Sequence, residues 1–150
     1  VLRDLIASDT FDFVASPLWR TRETMEIVRR AMGLEAAGYR MDDRLRELSF
    51  GDWEGRTVSD IEREEAERWQ ERNANKWHFT PNNGESYHIL TERIRGWVQE
   101  ITRPTLVVAH GGGNRSLKAI YTQADLNELA AEPIPQDKVM IIEGGELRWI

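Results

Sequence analysis

The chain has 150 residues, the usual size of one domain, and carries 20 basic against 26 acidic side chains, a net charge of −6 with no basic block, which argues against nucleic acid as a partner. It contains no cysteine, which excludes disulfides, thiolate zinc sites and thiol nucleophiles and fits a reducing, cytoplasmic setting. Its longest apolar runs, such as Thr105–Ala109 and Val139–Ile142, are strand-length, so neither a membrane span nor a signal peptide is expected.

Val1–Ala7 reads as the tail of a helix, and Phe11–Ala15 as a buried strand. Ser16-Pro17 is a helix start, with Ser as N-cap and Pro at the first helical position. Leu18, Met25, Val28 and Met32 share a face of the helix that follows, and Gly33 stops it. Tyr39–Leu45 reads as a further strand. Thr57 and Asp60 resemble a capping box opening one charged, solvated helix to about Arg72. Gly84-Glu85-Ser86 opens another helix, with Leu90, Ile94, Trp97 and Ile101 as its inner stripe and Pro104 as its end. Thr105–Ala109 is the best buried strand of the sequence. Gly111–Gly113 turns into a helix from about Asn114, facing inward with Leu117, Ile120 and Tyr121. Lys138–Glu143 and Glu146–Ile150 form a hairpin about Gly144-Gly145. Strands alternating with helices predict a single α/β domain over 1–150, a three-layer α/β/α sandwich on a mostly parallel sheet.

Two strand-to-helix junctions carry the candidate chemistry. The first leads from Phe11–Ala15 into a helix with Arg20 in its first turn. The second leads from Thr105–Ala109 through His110 and three glycines into another helix. Ligands of open α/β sheets bind beyond the carboxyl ends of the strands, where helix N-termini point N–H groups outward. If the two strands are parallel neighbours, Arg20, His110 and the Gly111–Gly113 amides face one crevice, a set that suits a dianionic phosphate. Each residue also has an ordinary reading: Arg20 paired with Glu23 or Glu26, His110 satisfied at a strand end, the glycines a tight turn for helix–sheet packing.

Other chemistries fit worse. The glycine run lacks the Gly-Lys-Ser/Thr ending of a P-loop. His-Gly-Gly-Gly matches a lipase oxyanion hole, but no Gly-x-Ser-x-Gly elbow accompanies it. His78, His88 and His110 lack metal-ligand spacing, so no metal and no cofactor is expected. Trp53, Trp69 and Trp77 read as core packing or as an aromatic wall over a ligand.

Ser16-Pro17-Leu18-Trp19-Arg20-Thr21-Arg22-Glu23-Thr24 resembles the Ser-Pro-Leu-x-Arg-(Ala/Thr)-x-(Gln/Glu)-Thr signature of the histidine phosphatase superfamily, the phosphoglycerate mutase-like proteins. Leu45-Arg46-Glu47-Leu48-Ser49-Phe50-Gly51-Asp52-Trp53-Glu54-Gly55 is similar to its Leu-x-Glu-x-x-(Phe/Tyr)-Gly-x-(Trp/Leu)-Glu-Gly segment. Gly84-Glu85-Ser86 resembles its Gly-Glu-Ser helix start, and Val107–Gly112 its second-histidine motif. Met25 and Gly113-Asn114 depart from the pattern without touching the phosphate-binding groups.

The resemblance implies a phosphohistidine mechanism: Arg20 holds phosphate, His110 is the second histidine, Gly111 lies in its phosphate-binding motif, and Glu47 protonates the leaving oxygen. The family's nucleophile lies in an Arg-His-Gly tripeptide at the end of a first strand, and none of these 150 residues supplies it. The expectation is therefore a domain lacking that strand and most of the first helix. The implied function is a metal-independent phosphomonoesterase acting on a small phosphorylated metabolite, with inorganic phosphate as product. Mutase-type phosphotransfer is the alternative, and a phosphate-ligand binder without catalysis is the reading if the chain truly starts at Val1.

Overall fold

The computed structural model describes residues 11–150; the helix tail expected at Val1–Ala7 lies outside them. The described residues divide into two compact units. One runs up to Glu47 and includes Gly96–His110, and the other comprises Leu48–Arg95 and Gly111–Ile150.

The first unit is built on a parallel sheet in the order β2-β1-β3, with β1 at Asp12–Ala15, β2 at Arg40–Met41 and β3 at Thr105–Val108. Side chains alternate across a strand. Phe13 and Ala15 therefore share a face with their register partners Leu106 and Val108, and Met25 packs on that face from helix α1 (Trp19–Ala31). Met25 is fully buried, worth roughly 1.5–3 kcal/mol against an exposed position. The buried line of α1 is Thr21, Met25 and Arg29; Leu18, Val28 and Met32 are half-buried. The expected stop is present as a Schellman motif: the Gly33 N–H donates to the Arg30 carbonyl, the Leu34 N–H donates to that of Arg29, and Gly33 adopts φ 80°.

The two strand expectations for Tyr39–Leu45 and Thr105–Ala109 need correction. The strand expected over Tyr39–Leu45 shrinks to Arg40–Met41, because Asp42 caps a 3₁₀ turn at Asp43–Leu45 by accepting from the Arg44 N–H. Strand β3 is only half-buried, since among the described residues it pairs with β1 alone.

The second unit packs around aromatic rings. Trp53, Ile61 and Phe79 form a buried cluster joined by Phe50 and Trp69, with Trp53 stacked on Phe79 at 5.2 Å and Trp77 on Tyr87 at 5.5 Å. Trp53 and Trp77 are core residues. Thr57 caps as expected, accepting from the Asp60 N–H, but the charged helix is two: α2 (Val58–Glu64) and α3 (Ala66–Ala74). Between them the Glu65 carboxylate accepts from Arg56 and from the Trp53 indole, which ties it to the preceding loop.

Helix α4 (Tyr87–Val98) buries Leu90, Ile94 and Trp97, whereas Ile101 lies beyond its end and is exposed. Helix α5 (Gly111–Tyr121) starts at Gly111 itself, not near Asn114. Its buried residues are Gly112, Gly113 and Ser116, while Leu117, Ile120 and Tyr121 are half-buried. Small residues let the helices approach closely, and the Thr91 hydroxyl of α4 donates to the Ser116 hydroxyl at 3.0 Å. Helix α6 (Leu126–Ala131) was not legible in the sequence and is nucleated by Asp125, which accepts from the Asn127 and Glu128 N–H groups. The hairpin of β4 (Met140–Glu143) and β5 (Glu146–Trp149) is present, both turn glycines having positive φ. Among the described residues no helix is long and apolar enough to cross a membrane.

Candidate active site

The parallel pairing of β1 and β3 brings the two junctions side by side. Their register ends at Ala15 opposite Val108, and the Ser16 N–H donates to the Val108 carbonyl at 2.9 Å. Directly beyond, the Ser16 Oγ lies 2.8 Å from the His110 Nε2, with both residues buried. Ser16 is therefore not a helix N-cap. Leu18 occupies that position without a side-chain bond, and Trp19, not Pro17, begins the helix. The Thr21 hydroxyl closes the turn against the Leu18 and Ser16 carbonyls, at 2.7 and 2.9 Å. A serine hydroxyl donates to a neutral Nε2 and accepts from a protonated one, so Ser16 accommodates either state of the imidazole. When it donates, a neutral His110 carries its hydrogen on Nδ1.

Arg20 sits in the first turn of α1 and is exposed. Among the described residues its guanidinium has no carboxylate partner. The ordinary pairing with Glu26 is not made, because Glu26 accepts from Arg30 at 3.0 Å and faces the Tyr39 hydroxyl. Burial, with Glu26 beside it, raises the Tyr39 pKa above its usual value.

Glu47 is half-buried at the end of the first unit, three residues after Arg44. Arg44 holds two carboxylates at once: its Nε and Nη2 donate to Asp42 at 3.0 and 2.8 Å, and its Nη1 and Nη2 donate to Glu100, both at 2.7 Å. The Arg44 hydrogen bonds lower the pKa of both Asp42 and Glu100. The Asp42 N–H donates to the Ala15 carbonyl, so this cluster fixes the chain leaving β2 toward Glu47.

After Glu47 the loop is clasped by a second segment, with Ser49 paired to a residue 36 positions on. The Glu85 N–H donates to the Ser49 carbonyl at 2.8 Å, the Ser49 N–H donates to the Glu85 carboxylate at 3.2 Å, and the Asp52 N–H donates to the Asn82 carbonyl at 3.0 Å. Arg93 grips Glu85 through its Nε and Nη2, at 3.1 and 2.7 Å. Glu54 folds back to accept from the Ser49 hydroxyl and the Phe50 N–H. Gly51 has φ 55°, and a Cβ there would overlap the Asn82 carbonyl oxygen; one on Gly84 would come 2.8 Å from the Ser49 oxygen and 2.9 Å from the Gly51 nitrogen. The roles of Ser16 and Glu85 are missed by sequence reasoning. The only signal for Glu85 is the Gly-Glu-Ser triplet, which marks a helix start but not what the carboxylate holds.

Gly111 follows His110 and is the first residue of α5; a Cβ there would meet the Arg115 guanidinium at 3.2 Å. His78 and His88 have ring centroids 5.2 Å apart, and among the described residues no group of three or more His, Asp or Glu is placed to hold a metal ion.

The model of the histidine phosphatase superfamily (branch 1) matches residues 2–150. The adenosylcobalamin/alpha-ribazole phosphatase of Escherichia coli K12 is 30% identical over 118 residues, covering 74% of this chain and 56% of that protein. A probable phosphoglycerate mutase, GpmB, of Escherichia fergusonii is 36% identical over 106 residues, covering 65% of this chain and 46% of its own length. The chain thus spans about half the length of these relatives. Among solved structures, a mycobacterial glucosyl-3-phosphoglycerate phosphatase complexed with inorganic phosphate superposes with a TM-score of 0.72 at 26% identity, over 93% of this chain and 73% of the other. A putative alpha-ribazole-5'-P phosphatase of Escherichia coli K-12 superposes with a TM-score of 0.76 at 24% identity, over 99% and 76%, and so shares the fold.

Proposed function

Because the chain belongs to the histidine phosphatase superfamily, branch 1, we propose that it acts in a phosphomonoesterase that works through a phosphohistidine on a small phosphorylated metabolite. The observation that carries this reading is the buried Ser16–His110 contact at the carboxyl ends of paired parallel strands, with an exposed Arg20 that has no carboxylate partner among the described residues in the first turn of the helix after the same strand.

In phosphoryl transfer the protein supplies charge to the equatorial oxygens and a proton to the departing oxygen. Arg20 gives a planar fork of N–H donors that matches phosphate geometry. His110, held by Ser16, adds a second donor, and the Gly111 amide at the start of α5 adds a third. Glu47 protonates the leaving alkoxide. The nucleophile is assigned to no position, since the 150 residues contain no Arg-His-Gly. The route needs no metal, and the reaction is placed in the cytoplasm, which the lack of cysteine suits.

The test is chemical trapping on the full-length protein. Substrate labelled in its phosphoryl group should leave an enzyme-bound label that is stable to alkali and labile to acid, as a phosphohistidine is. A full turnover with no such label would overturn the reading. The 36% identity to a probable phosphoglycerate mutase supports phosphotransfer as a second reading. A mutase would return the label on another oxygen of the substrate, whereas a phosphatase releases it as inorganic phosphate.

A further inference from the structure

His78 and His88 stand ten residues apart in sequence, a spacing of no metal motif, but the fold brings their rings to a centroid separation of 5.2 Å with 40° between the ring planes. The residues that precede them hold the pair in place. Trp77 and Tyr87 both turn inward, are buried, and stack on each other at 5.5 Å. Their burial leaves the next side chain of each segment facing out, and both histidines are exposed. The His88 N–H donates to the Trp77 carbonyl at 3.0 Å, which ties the first turn of α4 to the backbone directly before His78. From the other side, the Asn127 side-chain oxygen accepts from the Trp77 N–H at 3.2 Å, and that of Asn75 accepts from the His78 N–H at 3.4 Å. Among the described residues, neither imidazole has a hydrogen-bonded partner or a carboxylate within salt-bridge reach.

We propose that His78 and His88 form a two-imidazole site for a late first-row divalent metal ion, Cu²⁺, Ni²⁺ or Zn²⁺, with water in the remaining coordination positions. An imidazole nitrogen binds such an ion at about 2.0–2.1 Å, which puts the ring centre roughly 3.2 Å from the metal. Two rings sharing one ion at angles between about 90° and 109° then have centres about 4.5–5.2 Å apart. The observed separation falls at the tetrahedral end of that range. Small rotations of the exposed side chains aim the nitrogens, with no movement of the buried Trp77–Tyr87 pair. Neutral imidazole suits these ions, whereas Mg²⁺ and Ca²⁺ take oxygen ligands. Because the backbone already holds both rings, the second bond forms as an intramolecular step, which raises affinity over that of a lone surface histidine. The site uses no residue of the candidate active site, so it is separate from the proposed phosphatase reaction and supplies no metal to it.

The experiment is a calorimetric titration of the full-length protein, free of any affinity tag, with CuCl₂, NiCl₂ and ZnCl₂ in turn. Cu²⁺ should bind tightest, following the general order of stability for these ions. Mg²⁺ in large excess should not displace it. His78→Gln and His88→Gln, both at exposed positions, should each weaken binding by about a hundredfold, and the double variant should bind little worse than either single one. Paramagnetic Cu²⁺ should broaden the NMR signals of both rings in the parent protein at substoichiometric amounts. Turnover of a phosphate ester by the two variants should match the parent, which keeps this test apart from that of the catalytic reading. Binding unchanged in both folded variants would place the metal elsewhere on the protein, and a loss confined to one of them would reduce the site to a single histidine; either result overturns the proposal.

Discussion

The Ser16 hydroxyl meets the His110 Nε2 at 2.8 Å, between two residues that β1 and β3 place just past their last paired positions. Ser16→Ala removes this partner without touching phosphate. A buried polar group that loses its hydrogen bond costs about 1–3 kcal/mol, so thermal stability should fall by that order. A purely structural role would end there. A positioning role requires in addition that kcat fall while KM changes little, because the hydroxyl orients the His110 ring. An unchanged kcat at reduced stability would make Ser16 a packing residue.

Glu47 is tested by the choice of leaving group. General acid catalysis contributes about 10²–10⁴-fold, so Glu47→Gln should slow hydrolysis of an alkyl phosphate by roughly that factor. A nitrophenolate departs without a proton, and the same variant should lose far less on that ester. Equal losses on the two esters would assign Glu47 to binding or structure.

Arg20→Ala should slow alkyl and nitrophenyl esters alike, since the phosphoryl charge is common to both. Its side chain is exposed and has no carboxylate partner among the described residues, so the unfolding free energy should stay within about 0.5 kcal/mol of the parent. A large stability loss would show that Arg20 holds the fold and would leave its catalytic deficit uninterpretable as phosphate binding.

The Arg44 cluster predicts a pH dependence. Asp42 and Glu100 have pKa values below those of the unfolded chain, about 3.9 and 4.3. Their contribution is therefore present in full above those values and lost as the pH falls through the folded-state values. Arg44→Ala should lower the urea midpoint at neutral pH, and the difference from the parent should shrink below about pH 4. Exposure of Glu100 keeps the effect modest and salt-sensitive. A difference that stays constant into acid would mean that Arg44 acts by packing.

Gly51 and Gly55 separate backbone conformation from steric exclusion. Both have positive φ, but a Cβ on Gly55 meets nothing within 4 Å, whereas one on Gly51 overlaps the Asn82 carbonyl. Gly55→Ala should cost about 1–2 kcal/mol from conformation alone, and Gly51→Ala about 2–5 kcal/mol in equilibrium unfolding. Similar losses at the two positions would deny that the clasp is tightly packed.

Patterns governed by nearby residues were legible in the sequence. The Phe11–Ala15 run, the Gly33 stop, the Thr57 cap and the Gly144-Gly145 turn each act within a few residues, and they appear where expected. What needs a distant partner was not legible. Ser16 reads as an N-cap because serine before proline usually is one; only the pairing of β1 with β3 shows that its hydroxyl serves a histidine 94 residues on. The glycines after His110 read as a turn because glycine weakens helices, but here their lack of side chains suits the buried face of α5. Arg72 reads as one more charge on a solvated helix, and its place over the Trp69 ring emerges only from the fold.

The clasp between the Glu47 loop and the Gly84-Glu85-Ser86 turn also limits how this protein can be recombined with its relatives. Gly51 and Gly84 each occupy the space the other's side chain would need, and Glu85 bonds across to Ser49. A chimaera that imports the loop from a relative while keeping the native turn inherits half of a lock. Exchange of this loop should therefore succeed only when residues 48–55 and 82–86 travel together, and libraries built by single crossovers between them should be depleted in folded members.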